Sequence, residues 1–362
     1  MADDTIHLPG NTVRARAATA PASRVAVTRR MLRLLGWFAV ALSVAAVALG
    51  GYVWRTWNRT WDVPITEIHA STDPDVIKRG EYLVFGPAHC VECHTSSADT
   101  FERYVDTGQR PPLAGGMPLT LPPLGTLYSR NLTPDSETGI GRYSDGQIAR
   151  VLRHGVLPDG RATMQPLMPY ATMSDDDVTA IVSFLRAQPP VRHEVPGAQW
   201  TLAGKVVKSL SPDLKPHPGP PAPKRAPAQQ ATRERGEYLA RSVGNCGGCH
   251  SPRSERTFQL NGPEFSGGLP MEPRPLPGVD RTLWFAPPNL TPLEGSAIRR
   301  FPDRETFVAR VQKGGRKHVA SPMAWDSFGK MTTEDAGALF EYFMSLPAAG
   351  VASPDDPTVK HE

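Results

Sequence analysis

The sequence predicts an all-α, loop-rich protein in which two helical units stand in tandem behind one N-terminal transmembrane helix. Three observations carry that prediction: an internal repeat containing segments of helical period, an uncharged run of 21 residues near the N-terminus, and almost no alternating strand pattern. Proline, at 38 of 362 residues, is twice its usual share of about 5%. Much of the chain between helices is therefore expected to be irregular.

Residues 1–33 carry Arg14, Arg16, Arg24, Arg29, Arg30 and Arg33 against two acids, and read as a basic cytoplasmic tail. Leu34 to Trp54, "LLGWFAVALSVAAVALGGYVW", holds no charge. As a helix it rises about 31 Å, close to the hydrocarbon thickness of a bilayer. With arginine holding its N-terminal side in the cytoplasm, everything beyond Arg55 is expected in the periplasm, anchored to the bacterial inner membrane by a single pass. Trp54, Trp57 and Trp61 suit the far interface. A cleaved signal peptide is the alternative, since Ala46-Val47-Ala48 offers a small-x-small site. That triplet lies inside an apolar run longer than a usual signal core, so an uncleaved anchor is the expectation. Residues 34–362 hold 34 basic and 34 acidic side chains. No basic stripe remains of the kind nucleic-acid binding requires.

The repeat organises the rest. "RGEYLVFGPAHCVECHT" from Arg79 and "RGEYLARSVGNCGGCHS" from Arg235 place the first cysteine at the same offset. Double glycines follow (Gly115-Gly116 and Gly267-Gly268), then "NLTP" at Asn131 and Asn289. Next comes a short amphipathic helix in each copy. In "SDGQIARVLRHG" Ser144 and Gln147 form a capping box, Ile148, Val151 and Leu152 the apolar face, and Gly155 the end. In "DRETFVARVQKGG" Asp303 caps, and Phe307, Val308 and Val311 form the face. A last helix closes each copy, Ser174 to about Arg186 and Thr332 to about Ser345. The units are thus 72–190 and 230–348, joined by a proline-rich linker over 191–229 and followed by a tail over 349–362. Residues 197–210 are expected to add a short packing segment.

All four cysteines fall in two copies of Cys-x-x-Cys-His: Cys90, Cys93 and His94, then Cys246, Cys249 and His250. Half a zinc site, a redox dithiol and a c-type haem attachment share this spacing. Structural zinc wants four ligands, and neither unit has a third cysteine. A thioredoxin-like dithiol asks for no histidine and expects an α/β sheet. Two covalent haems fit best, with thiols adding to the vinyl groups and the following imidazole reaching iron from the same side.

Opposite each proximal histidine, equal offset and equal context select a thioether. Met168 lies 74 residues after His94 in "PLMPY", and Met323 lies 73 after His250 in "SPMAW". Met164 has no counterpart, and Met173 and Met331 sit at the apolar position before a helix cap, where packing explains them. His154 and His318 do not align. An iron held by imidazole and thioether has no vacant position and a raised potential, which leaves one-electron transfer.

These stretches, with "NLTPDSETGIGRYSD", "LMPYATMSDDDVTAIVSFLRAQPPV" and "CGGCHSPR", resemble the membrane-anchored di-haem c-type cytochromes related to the cytochrome subunits of bacterial gluconate, alcohol and aldehyde dehydrogenases. The resemblance covers nearly all of residues 75–348. It implies two class I cytochrome c domains, covalent haem at Cys90, Cys93, Cys246 and Cys249, and iron ligation by His94, Met168, His250 and Met323. It further implies an electron carrier rather than an enzyme, fed by a dehydrogenase and discharging to an oxidase or soluble cytochrome. A di-haem peroxidase with one exchangeable iron, or a redox sensor, would share the motifs. Those dehydrogenase subunits usually carry three haem domains, whereas this sequence holds two attachment motifs.

Overall fold

The computed structural model describes residues 10, 22–163, 168, 170–211, 215–216, 221–255, 259–274 and 278–361, with side chains of the first helix described from residue 29. The chain divides into two compact units, 1–56 and 57–362. In the first, α1 (Ala22–Thr56) runs beyond both ends of the apolar stretch, because neither its arginines nor Thr56 breaks a helix. Among the described residues its stretch Arg29–Thr56 is the one helix long and apolar enough to cross a membrane, at mean hydropathy 2.0.

The second unit contains both repeats around one continuous core. The first repeat supplies α2 (Pro74–Phe85), α3 (Val91–His94), α4 (Ala98–Thr107), α5 (Asp145–His154) and α6 (Asp175–Ala187). After α7 (Leu202–Leu210), the second supplies α8 (Arg233–Tyr238), which continues into a π turn, then α9 (Cys246–Cys249), α10 (Arg304–Gln312), α11 (Trp325–Phe328) and α12 (Thr333–Ser345).

In each repeat the first helix crosses the last, and the shared Arg-Gly-Glu-Tyr-Leu text explains how. A Cβ on Gly80 would stand 1.9 Å from the Ala180 carbonyl oxygen, and one on Gly236 would stand 1.9 Å from that of Ala338. Only glycine allows these backbones to approach so closely. One residue earlier, Arg79 forks onto Asp177 at 2.9 and 3.1 Å, and Arg235 onto Asp335 at 2.8 and 3.0 Å. Three residues after each glycine, Leu83 and Leu239 are buried.

The tyrosines cross between repeats. Tyr82 donates to Asp335 at 2.6 Å, and Tyr238 donates to Asp177 at 2.7 Å. Each phenol oxygen also accepts the N-cap amide of the opposite closing helix, Thr332 N at 3.3 Å and Ser174 N at 3.1 Å. Two buried carboxylates are thus each satisfied by their own repeat's arginine and the other's tyrosine.

The expected caps form at Ser144, Ser174, Asp303 and Thr332, with the capping box between Ser144 and Gln147 and left-handed Gly155 closing α5. The face of α5 differs from expectation. Ile148 is buried, but Val151 and Leu152 are half-buried, while Arg150 and Arg153 are buried beside it. Arg150 satisfies the carbonyls of Val63, Leu157 and Pro158, and Arg153 those of Ala171 and Met173 together with Asp175. Guanidinium groups with fixed carbonyl partners are stable inside, and periodicity alone does not reveal such partners.

Short strands accompany the helices. β1 (Pro118–Leu121) and β2 (Gly125–Tyr128) form a hairpin, and β3 (Gln199–Trp200) pairs with β2. β4 (Leu283–Phe285) pairs with β5 (Thr358–Lys360), so the C-terminal tail folds back onto the second repeat. The segment between the repeats also packs. It begins with β3 and α7, and further on the carbonyls of Pro223 and Lys224 accept the Asp175 and Asp176 amides at 2.9 and 3.1 Å, covering free donors at the start of α6.

Candidate functional site: two matched thiol–imidazole loops

Each Cys-x-x-Cys-His stretch is entered through a left-handed residue, His89 at φ 41° and Asn245 at φ 50°. This sharp step turns the chain off the preceding helix and into α3 or α9. In both copies the imidazole of the histidine that ends the stretch is then fixed from behind. His94 Nδ1 donates to the Arg130 carbonyl at 2.8 Å, and His250 Nδ1 donates to the Pro288 carbonyl at 2.8 Å. That commits Nδ1 to the N–H and leaves the lone pair on Nε2, the atom available to a metal.

The double glycines make the approach possible. Gly115 N donates to His94 O at 2.9 Å and Gly267 N to His250 O at 3.0 Å, while Gly116 N and Gly268 N reach Ser129 O and Pro287 O at 2.9 and 3.0 Å. A Cβ on Gly268 would stand 1.7 Å from the Cys249 carbonyl oxygen, and one on Gly115 would stand 2.4 Å from Arg130 backbone. A side chain at Gly115 would push against the carbonyl that accepts from His94, and one at Gly268 against the backbone of Cys249.

The repeated Asn-Leu-Thr-Pro holds the accepting loop. Asn131 Oδ1 takes the amide and hydroxyl of Thr133 at 2.9 and 2.7 Å, and its Nδ2 donates to Val191 O at 2.9 Å. Asn289 takes the same groups of Thr291 at 2.8 Å each and donates to Ala349 O at 2.7 Å. A buried amide thus ties the chain after each closing helix to the loop that orients the imidazole. The sequence displayed this text twice without revealing its role, since the partners lie 58–62 positions away.

The side-chain environments bear on the three chemistries. None of the four cysteines is paired in a disulfide. Burial pushes Cys90 and Cys246 up to about 12, the reverse of the lowered value that activates a redox dithiol. Burial also lowers His94 and His250, with the backbone hydrogen bond opposing it, so both are neutral donors at pH 7. Among the described residues no three His, Cys, Asp or Glu side chains converge as a metal-holding group, so the two pairs do not pool into a zinc site. Paired thiols beside an imidazole with a committed Nδ1 match the donors haem c requires.

Met168 and Met323 occupy matching turns. The Met168 carbonyl accepts Tyr170 N at 2.9 Å, and the Met323 carbonyl accepts Trp325 N at 2.8 Å. Both are partly buried against the core. The Tyr170 hydroxyl donates to Ala88 O at 2.7 Å, tethering the Met168 turn to the residues just before Cys90. Met173 and Met331 are buried in the core, where their place before the caps puts them. Met164 lies outside the described residues. His154 is half-buried at the end of α5, and His318 lies against the returning tail, 3.7 Å from Asp356 and edge-on to Phe285.

One feature has no signal in the repeat. Glu92, inside the first Cys-x-x-Cys-His stretch, accepts from Ser327 at 2.8 Å and from Arg316 at 3.2 Å, and Arg316 also pairs with Asp326. The loop of Met323 in the second repeat is therefore held by the Cys-x-x-Cys-His loop of the first.

No protein-family model matches the chain. Among curated proteins, it is 38% identical to the gluconate 2-dehydrogenase cytochrome c subunit of Pantoea cypripedii, over 49% of this chain and 38% of that one. It is 34% identical to the cytochrome c subunit of a quinone alcohol dehydrogenase of Gluconobacter oxydans, over 86% and 60%. The chain is similar to the cytochrome c subunits of dehydrogenases. A protein of Cereibacter sphaeroides named as a diheme cytochrome c-type is 29% identical over 59% of this chain and 67% of its own. The chain spans 60% or less of the first two relatives' length.

Proposed function

We propose that the chain is a di-haem c-type cytochrome that carries electrons one at a time at the outer face of the bacterial inner membrane. Cys90 and Cys93 would hold one haem c and Cys246 and Cys249 the other, with His94 and Met168, then His250 and Met323, as the residues that would ligate the irons. The observation that carries this reading is the doubled imidazole geometry, a Nδ1-to-carbonyl bond of 2.8 Å in each copy behind a thiol pair. The matched methionine turns support the second ligand.

Bound haem supplies a reversible one-electron couple. The chain's own residues set how it is used. The Arg130 and Pro288 carbonyls orient the imidazoles and raise their basicity. Thioether and imidazole donors together would raise the potential and leave no open position on the iron, which suits outer-sphere transfer rather than substrate binding. The chain is thus an electron-transfer protein and not itself the dehydrogenase. The relatives' names support a dehydrogenase as donor, with an oxidase or soluble cytochrome as acceptor. The arginines before α1 support cytoplasmic placement of the N-terminus and a periplasmic haem module.

A pyridine haemochrome assay on the purified chain should return two haems c per polypeptide. Both should stay low-spin and refuse carbon monoxide in the reduced state. One haem that binds carbon monoxide readily would favour an enzymatic site. Purification from membranes should bring a dehydrogenase subunit with the chain.

A further inference from the structure

α7 is built inside out. At 100° per residue, Leu202, Ala203, Val206, Val207 and Leu210 share a stripe about 140° wide. That stripe faces outward, with Leu202 76%, Leu210 51% and Val207 38% exposed. The inner side carries buried Gly204 and Ser209, and a Cβ on Gly204 would stand 2.0 Å from the Leu124 carbonyl oxygen. Lys205 and Lys208 lie half-buried along that inner side, 4.8 and 5.9 Å from the Trp57 ring, with Lys208 also 5.0 Å from the Trp200 ring. A surface helix facing water turns its polar residues outward; this one turns out its apolar stripe.

The chain itself indicates what covers the stripe. Trp57 directly follows the last residue of α1, and the segment it begins is sewn to the module. Trp61 N donates to Gly160 O at 2.8 Å, Thr60 pairs with Arg161, and Arg59 lies over the Trp61 ring at 3.7 Å. The tryptophan that α7's lysines face is thus the next residue in sequence after that helix. Tryptophan rings, lysines with long apolar stems and an adjacent leucine stripe are the residue types of the headgroup level.

We infer that α7 is an interfacial helix lying along the outer lipid surface, with Leu202, Val207 and Leu210 inserted, so that the module has a second membrane contact beside the anchor. This rests on the reading of α1 as an uncleaved membrane span. The module's orientation to the bilayer is then fixed at two points rather than left to swing on a tether.

The test uses the full haem-loaded chain in phosphatidylethanolamine–phosphatidylglycerol vesicles, with a photoreactive phenylalanine analogue placed singly at Val47, Leu202, Leu210 or Val319. Lipid adducts are expected from 47, 202 and 210 and not from Val319, which is 63% exposed elsewhere on the module. With the probe at 210, L202E/V207E should cut the lipid adduct severalfold while haem absorbance stays unchanged. Lipid capture at 47 with none at 202 and 210, protein adducts at those sites, or equal capture at 319 would overturn the inference and leave the anchor standing. No lipid capture at 47 would overturn the anchor and the inference together.

Discussion

At the scale of single residues, each letter of Arg-Gly-Glu-Tyr-Leu has a structural task except the glutamate, whose pairing differs between copies: Glu81 meets Arg110, and Glu237 meets Arg241. Arg235 and Asp335 are 1% and 0% exposed in their side chains. Asp335→Ala should cost about 3–5 kcal/mol, because it strands a buried guanidinium. Tyr82→Phe removes one hydrogen bond to a carboxylate that keeps its arginine, so it should cost about 1.5–3 kcal/mol. Denaturant midpoints of the two variants check the order, and equal losses would contradict it. The sequence showed that this text repeats, but the Tyr82 partner lies 253 positions away, and spacing carries no information about such a contact. The two Cys-x-x-Cys-His stretches proposed to hold haem were visible in the sequence because that chemistry needs contiguous residues. Glu92 was not, since its partners belong to the other repeat.

At the scale of elements, the closing helices and their caps were legible from Ser/Thr-x-x-Asp text followed by apolar residues at helical spacing, as at Ser174 and Thr332. The short strands were not, because two- to four-residue pairings such as Gly125 with Trp200 leave no alternation to read. The crossing of first and last helix depends on Gly80 and Gly236. A Cβ at either meets a carbonyl oxygen of the opposing backbone, which cannot rotate away as a side chain would. Gly80→Ala and Gly236→Ala should each destabilise by about 1–3 kcal/mol through forced separation of the helices. Thermal unfolding measures this; a variant with unchanged or raised stability would show that the crossing is not tight. Asn131→Ala should act differently. It frees the loop whose carbonyl orients His94, so haem-linked optical changes at the first site should accompany the lost stability.

At the scale of the whole molecule, the two repeats form one compact unit rather than beads on a linker. Their core is continuous, the N-cap amide of each closing helix is taken by the other repeat's tyrosine, and the 223–224 segment covers the start of α6. Unfolding followed by circular dichroism and by haem absorbance should therefore give coincident transitions. Two separated midpoints would contradict a shared interface. Cys90→Ala/Cys93→Ala should leave the first repeat largely unfolded to proteases and should weaken the second as well. A native-like, protease-resistant first repeat in that variant would show that covalent haem does not support its fold.

The central claim is that two irons are each closed by an imidazole and a thioether, leaving electrons as their only traffic. The most direct measurement is the far-red sulfur-to-iron absorption band of the oxidised protein in Met168→Ala, Met323→Ala and the double variant. The account predicts that each single substitution removes one haem's contribution and lowers that haem's potential, and that the double variant loses the band entirely. A double variant whose band and potentials match the parent protein would contradict it.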